Sequence, residues 1–165
     1  MSDPIFLLSE KVGRCLLEHG LLAVTAESCT GGWIGEAITA VPGSSAWFDR
    51  GFITYTNSAK QDMLGVTEET LAQHGAVSGE TVREMALGAL SHSRGNVAVA
   101  VSGIAGPTGG TPSKPVGTVW LAWAAKGHEA LAECHVFSGD RESVRRQAVM
   151  RALEGLMELV DKTSV

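Results

Sequence analysis

Three cysteines in 165 residues, Cys15, Cys29 and Cys134, are too few and too irregularly spaced for a disulfide framework or a C-x-x-C zinc knuckle. Reduced thiols in a cytoplasmic protein are the expectation. The five histidines, His19, His74, His92, His128 and His135, show no H-x-H or H-E-x-x-H spacing, so no metal and no cofactor is expected. Positive charge is scarce as well. Thirteen Lys and Arg against 18 Asp and Glu leave a net charge of -5, which argues against the basic face that a nucleic-acid grip needs. The densest basic group, Arg141, Arg145, Arg146 and Arg151, shares its helical pattern with Glu142 and Glu154 and suits a local anion site rather than a polyanion track. No apolar run is long enough to span a membrane, and the start Met1-Ser2-Asp3-Pro4 lacks a signal-peptide pattern.

What the chain does have is a regular alternation of elements. Ile5, Leu8, Val12, Leu16 and Leu17 fall on one helical face between Pro4 and His19, with Pro4 suited to a first turn and Gly20 to a stop. An apolar strand follows from Leu21 to Ala26, then a helix over Gly31–Ala40 and, after the Pro42-Gly43 turn, a strand over Gly51–Tyr55. Helical patterns cover Ser58–Leu64, Thr67–Gln73 and Ser78–Ser93. The β-branched run Asn96–Ser102 reads as a central strand covered on both faces. Gly117–Ala125 and Glu129–Phe137, separated by Lys126-Gly127-His128, read as a hairpin, and a last helix runs over about Asp140–Lys162. The expected fold is α/β: a three-layer α/β/α sandwich with a mixed central sheet, built as one domain over residues 1–165. Trp120 and Trp123 are expected in the core, whereas Trp33, Trp47 and Phe48 are candidates to stack on a ligand or on a second subunit. The apolar Trp47-Phe48 pair beside the Pro-Gly turn points to a homodimer.

Ligands of such sheets gather where strands end. Four corners meet that condition: Thr25-Ala26-Glu27-Ser28-Cys29-Thr30-Gly31-Gly32, the polar island Tyr55–Lys60, the glycine-rich loop Gly103–Gly110, and Ser138-Gly139-Asp140-Arg141. Ser28 stands where free backbone N–H groups open a helix, which is the place for a nucleophile, although hydroxyl residues also cap helices there. A serine needs a base, and no Ser-His-Asp set is evident. Lys60, at the start of a short helix, can serve if burial or the helix dipole lowers its pKa, with Tyr55 relaying or orienting the proton. Cys29 is a rival nucleophile, because a thiol at a helix start has a lowered pKa. Glu27 is read as orienting Lys60 or capping backbone, without a catalytic role. The amides of the glycine loop and the Arg141 guanidinium suit a phosphate.

These blocks, together with Gly51-Phe52-Ile53-Thr54-Tyr55 and Lys114-Pro115-Val116-Gly117-Thr118-Val119, resemble in order and spacing the C-terminal domain of the competence/damage-inducible proteins, the nicotinamide-nucleotide amidase family, over about Leu7–Leu159. The resemblance implies hydrolysis of the carboxamide of nicotinamide mononucleotide to nicotinic acid mononucleotide and ammonia, in pyridine-nucleotide salvage. It implies Ser28 as nucleophile, Lys60 as base, Tyr55 as the accompanying hydroxyl and Thr30 and Gly31 as oxyanion donors. Gly32, Ser102, Gly103, Ala105, Gly106, Arg141 and Arg145 become the expected substrate-binding residues, with Ser102 standing where many relatives have threonine. The partner is then a small nucleotide. Two other functions fit the same residues: a non-enzymatic nucleotide-binding or regulatory module, and a Ser-Lys amidase acting on another small amide.

Overall fold

A computed structural model describes residues 2–163 of the chain. Helix α1 (Pro4–Glu18) starts where the Asp3 carboxylate accepts the Ile5 N–H and Pro4 supplies a first residue that needs no backbone donor. Strand β1 (Ala23–Glu27), helix α2 (Trp33–Thr39) and strand β2 (Phe48–Ile53) follow. Next come α3 (Asn57–Leu64), α4 (Glu68–His74) and α5 (Gly79–Ser91), whose first turns are capped by the hydroxyls of Thr56, Thr67 and Ser78. Strands β3 (Val97–Gly103), β4 (Thr118–Ala125) and β5 (Leu131–Val136) and the long helix α6 (Arg141–Thr163) complete the order.

The five strands lie in the order β2-β1-β3-β4-β5. β1 is parallel to both β2 and β3, while β4 is antiparallel to β3 and to β5. Four strands therefore share a direction, and only β4 opposes them. The carboxyl ends of β1, β2, β3 and β5 reach the same edge of the sheet, which is why corners distant in sequence can meet there.

Helices cover both faces, as the three-layer expectation requires. Val97, Val99 and Val101 of β3 with Val119, Leu121 and Trp123 of β4 face α1, α2 and α6; the alternate residues Ala98, Ala100, Ala122 and Ala124 face α5 and its neighbours. The alanine face lets α5 approach the sheet closely, and the opposite face carries the bulk. Trp123 is buried and its indole N–H donates to the Ala152 carbonyl at 3.0 Å; Trp120 is half-buried against the α5 side.

The fold corrects two expectations. Strand β2 occupies Phe48–Ile53 rather than Gly51–Tyr55, because Trp47 enters the core and its carbonyl accepts the Ala23 N–H, starting the ladder three residues earlier. Thr54 and Tyr55 lie past the end of β2, although the Thr54 N–H still donates to the Glu27 carbonyl at 2.7 Å. Trp47 is 2% exposed and packs against Gly13, so of the Trp47-Phe48 pair read as an apolar surface only the half-buried Phe48 reaches solvent. Among the described residues no helix is long and apolar enough to cross a membrane.

Candidate active site

A cavity of about 320 Å³ opens at the shared edge of the sheet. It is lined by Ser28 and Cys29 after β1, Tyr55 and Lys60 after β2, Ser102 to Gly106 with Thr108 and Gly109 after β3, and Arg141 at the start of α6. Ala76 and Val77, between α4 and α5, complete the wall.

Lys60 lies in the second turn of α3 and is fully buried. Its Nζ stands 3.0 Å from Ser28 Oγ, 2.7 Å from the Thr54 carbonyl and 3.3 Å from the Tyr55 carbonyl. Those two carbonyls are free because β2 ends at Ile53. Burial disfavours the charged amine and pushes its pKa down to about 8. Desolvation therefore does the work that the sequence divided between burial and the helix dipole. The neutral amine has two N–H donors for the two carbonyls and one lone pair, which faces the Ser28 hydroxyl.

Ser28 itself is buried, with its N–H donating to the Val101 carbonyl at 3.1 Å, so β1 and β3 continue their pairing up to the nucleophile position. Just after it, the chain turns. The Gly31 N–H donates to the Ser28 carbonyl at 3.0 Å, which corrects the expectation that Gly31 offers a free oxyanion donor. The Thr30 N–H makes no hydrogen bond among the described residues. Gly32, expected to contact substrate, has φ of +103° at the start of α2 and would bring a Cβ against Ile53. Its glycine serves the turn, outside the cavity wall.

Glu27 accepts from the Thr30 hydroxyl at 2.6 Å and from the Ile34 and Gly35 N–H groups at 2.9 and 3.0 Å. A buried carboxylate thus caps α2, and it is the backbone-capping alternative that the geometry selects over contact with Lys60. Cys29 sits in the wall, but burial pushes its thiol up to about 11, the reverse of the lowered pKa expected at a helix start. A protonated thiol is a poor rival to Ser28.

Tyr55 is exposed, and its phenol oxygen accepts from Arg141 Nη2 at 3.4 Å. Its carbonyl, not its hydroxyl, touches Lys60, which corrects the proton-relay expectation. Arg141 also donates through Nη1 to the Gly106 carbonyl at 2.8 Å, fixing the guanidinium at the mouth of the cavity. Arg145 does not line the cavity: it donates to the Cys29 and Thr30 carbonyls and stacks over the Trp33 ring. Of the two arginines, Arg141 is placed to meet a ligand. Ser102 lines the cavity with its hydroxyl unengaged, and the Ala105 and Gly106 amides donate to no acceptor among the described residues. Trp33, Trp47 and Phe48 are all outside the wall.

Ala76 and Val77 were not anticipated, because neither follows a strand. The α4–α5 connection that carries them is held at the Gly75 carbonyl by the Ser78 and Thr81 hydroxyls, and Lys114 Nζ donates to the His74 carbonyl at 2.9 Å. Among the described residues no cluster of three or more His, Cys, Asp or Glu has the arrangement of a metal site.

The model of the CinA C-terminal domain matches residues 6–160. The nicotinamide-nucleotide amidohydrolase PncC of Escherichia coli (strain K12) is 58% identical over 159 residues, covering 96% of each chain. A protein of the same name from Pseudomonas putida is 55% identical over 157 residues, covering 95% of this chain and 98% of that one. The crystal structure of a competence/damage-inducible protein from Agrobacterium tumefaciens superposes with a TM-score of 0.92 at 49% identity, covering 96% of this chain and 97% of that one.

Proposed function

This chain belongs to the CinA C-terminal domain family, and on that premise we propose that it is a nicotinamide-nucleotide amidohydrolase that converts nicotinamide mononucleotide to nicotinic acid mononucleotide and ammonia by a Ser-Lys mechanism, within pyridine-nucleotide salvage. Relatives at 55–58% identity over nearly the whole chain carry that activity in their names. The observation that carries the mechanism is the buried Lys60 Nζ at 3.0 Å from Ser28 Oγ, on the wall of the cavity.

Neutral Lys60 takes the hydroxyl proton as Ser28 Oγ attacks the carboxamide carbon. The carbonyl oxygen becomes an oxyanion, for which the Thr30 N–H is a free donor at the turn; removal of one such donor costs about 3 kcal/mol of barrier in serine hydrolases. The protonated lysine returns its proton to the leaving nitrogen as the C–N bond breaks, and ammonia departs. Water then attacks the acyl-Ser28 ester, its proton passing to Lys60 and on to Ser28 Oγ as the ester bond breaks; the acid product leaves and loses its carboxyl proton to solvent. Arg141 and the Ala105 and Gly106 amides, on the wall of the same cavity as Ser28, hold the phosphate.

The test is ammonia release from nicotinamide mononucleotide by the wild type, Ser28→Ala and Lys60→Ala. Both variants are expected to lose activity by at least ~10³-fold, since groups that act as a unit fail together. Retention of wild-type rates by either variant contradicts the mechanism; inactivity of the wild type on this nucleotide, with activity on another small amide, contradicts the substrate.

A further inference from the structure

The turn that follows the nucleophile is held from outside the cavity. Arg145, one helical turn beyond Arg141 on α6, donates through Nε to the Cys29 carbonyl at 3.0 Å and through Nη2 to the Thr30 carbonyl at 3.1 Å. Its guanidinium lies over the Trp33 ring, 5.4 Å from the centroid, which fixes the plane of the fork. The Glu27 carboxylate holds the Thr30 hydroxyl of the same segment. In a trans peptide the N–H points opposite to the C=O. With the Cys29 carbonyl turned to α6, the Thr30 N–H of that peptide must point away from α6, and like the Cys29 and Gly32 amides of the same turn it finds no acceptor among the described residues.

We propose that Arg145 is a positioning residue for this reaction: by holding two successive carbonyls, it sets the Cys29–Thr30 peptide so that the Thr30 N–H is presented to the oxyanion and Ser28 Oγ keeps its place beside Lys60. The role rests on the amidase reading and adds to it a residue that does not touch substrate. It also replaces the substrate-binding part that the sequence suggested for Arg145. Two features separate it from simple packing: the fork meets carbonyls rather than a carboxylate, and both carbonyls belong to the turn that directly follows the nucleophile.

The experiment compares wild type, Arg145→Ala, Arg145→Lys and Ser28→Ala in steady-state ammonia release from nicotinamide mononucleotide, with thermal unfolding recorded for each. Arg145→Ala is expected to lose about 10²-fold in kcat, with KM within about twofold of wild type and the pH dependence unmoved, as misplacement of a catalytic group near the chemistry does. Added guanidinium ion restores part of that kcat, and Arg145→Lys, which keeps the charge but not the fork, falls between. If Arg145→Ala does not fold, the same split between kcat and KM is read from Arg145→Lys. A raised KM with kcat intact makes Arg145 a substrate ligand and overturns the proposal, as does unchanged catalysis in a folded variant. Wild-type activity in Ser28→Ala would instead overturn the amidase mechanism, an outcome distinct from either result at Arg145.

Discussion

At the scale of single residues, Lys60 has two charge states, and its surroundings suit both unequally. An ammonium fills its three N–H donors with Ser28 Oγ and the Thr54 and Tyr55 carbonyls, but it is a charge without a carboxylate partner in a fully buried site. The amine satisfies the same two carbonyls and accepts from Ser28. With the pKa lowered to about 8, kcat/KM is expected to rise with pH through about 8 and then level, a limb read from initial rates between pH 6 and 10. Stability follows the same group with a definite sign. Between about 8 and the ordinary lysine value of 10.5 the unfolded chain binds the proton that the folded one has released, so folding should strengthen as pH rises across that window and the gain should vanish in Lys60→Met, measured by urea unfolding. Ser28, Lys60 and Arg141 were legible in the sequence because each lies in a segment that follows a strand. Arg145 was read as a substrate ligand and its carbonyl partners were not legible, since they lie 115 and 116 positions away and only packing brings α6 to them. Tyr55 misled for the opposite reason: its neighbourhood was read correctly, but its hydroxyl faces Arg141 while its backbone serves Lys60.

At the scale of elements, the position of Lys60 depends on how closely α3 packs on α5. Gly88, in α5, has no Cβ to interfere; one placed there would overlap the Leu64 carbonyl oxygen at the end of α3. Alanine is the better helix former by about 1 kcal/mol, but a clash with backbone cannot be relieved by a rotamer change, so the overlap wins. Gly88→Ala should destabilise the protein by about 2–3 kcal/mol in denaturant unfolding and lower kcat by displacing the helix that carries Lys60. A valine or serine at the same site should be worse. Nothing in the local pattern distinguishes Gly88 from any helical glycine, which is why this contact was invisible before the helices were placed. The order of helices and strands was legible from periodicity and capping residues, with β2 the exception. There the aromatic Trp47 beside a Pro-Gly turn looked like surface, whereas it fills the space that Gly13 leaves on α1.

For the molecule as a whole, the reversal of β4 alone leaves four strand ends at one rim, and Ser28, Lys60, the glycine loop and Arg141 all gather there. On the proposed function, a chain of net charge -5 takes an anionic nucleotide at a mouth where Arg141 supplies local positive charge. Salt should therefore raise KM for nicotinamide mononucleotide, and Arg141→Gln should raise it by about 10-fold at low salt while flattening the salt dependence, with kcat changed less. Titration of KM against sodium chloride for both proteins checks this; equal salt slopes would remove Arg141 from the phosphate. The same reversal of β4 has an evolutionary consequence. Because β3 ends and β4 begins at the rim, with the Ile104 N–H on the Thr118 carbonyl and the Gly117 N–H on the Ile104 carbonyl, the segment between them is a wall anchored at both feet. Doubling the length of such a span adds only about 0.6 kcal/mol of closure entropy. The cleft can thus be reshaped for a different guest by insertion or exchange of that span, while the serine and lysine, carried by other parts of the chain, stay where they are.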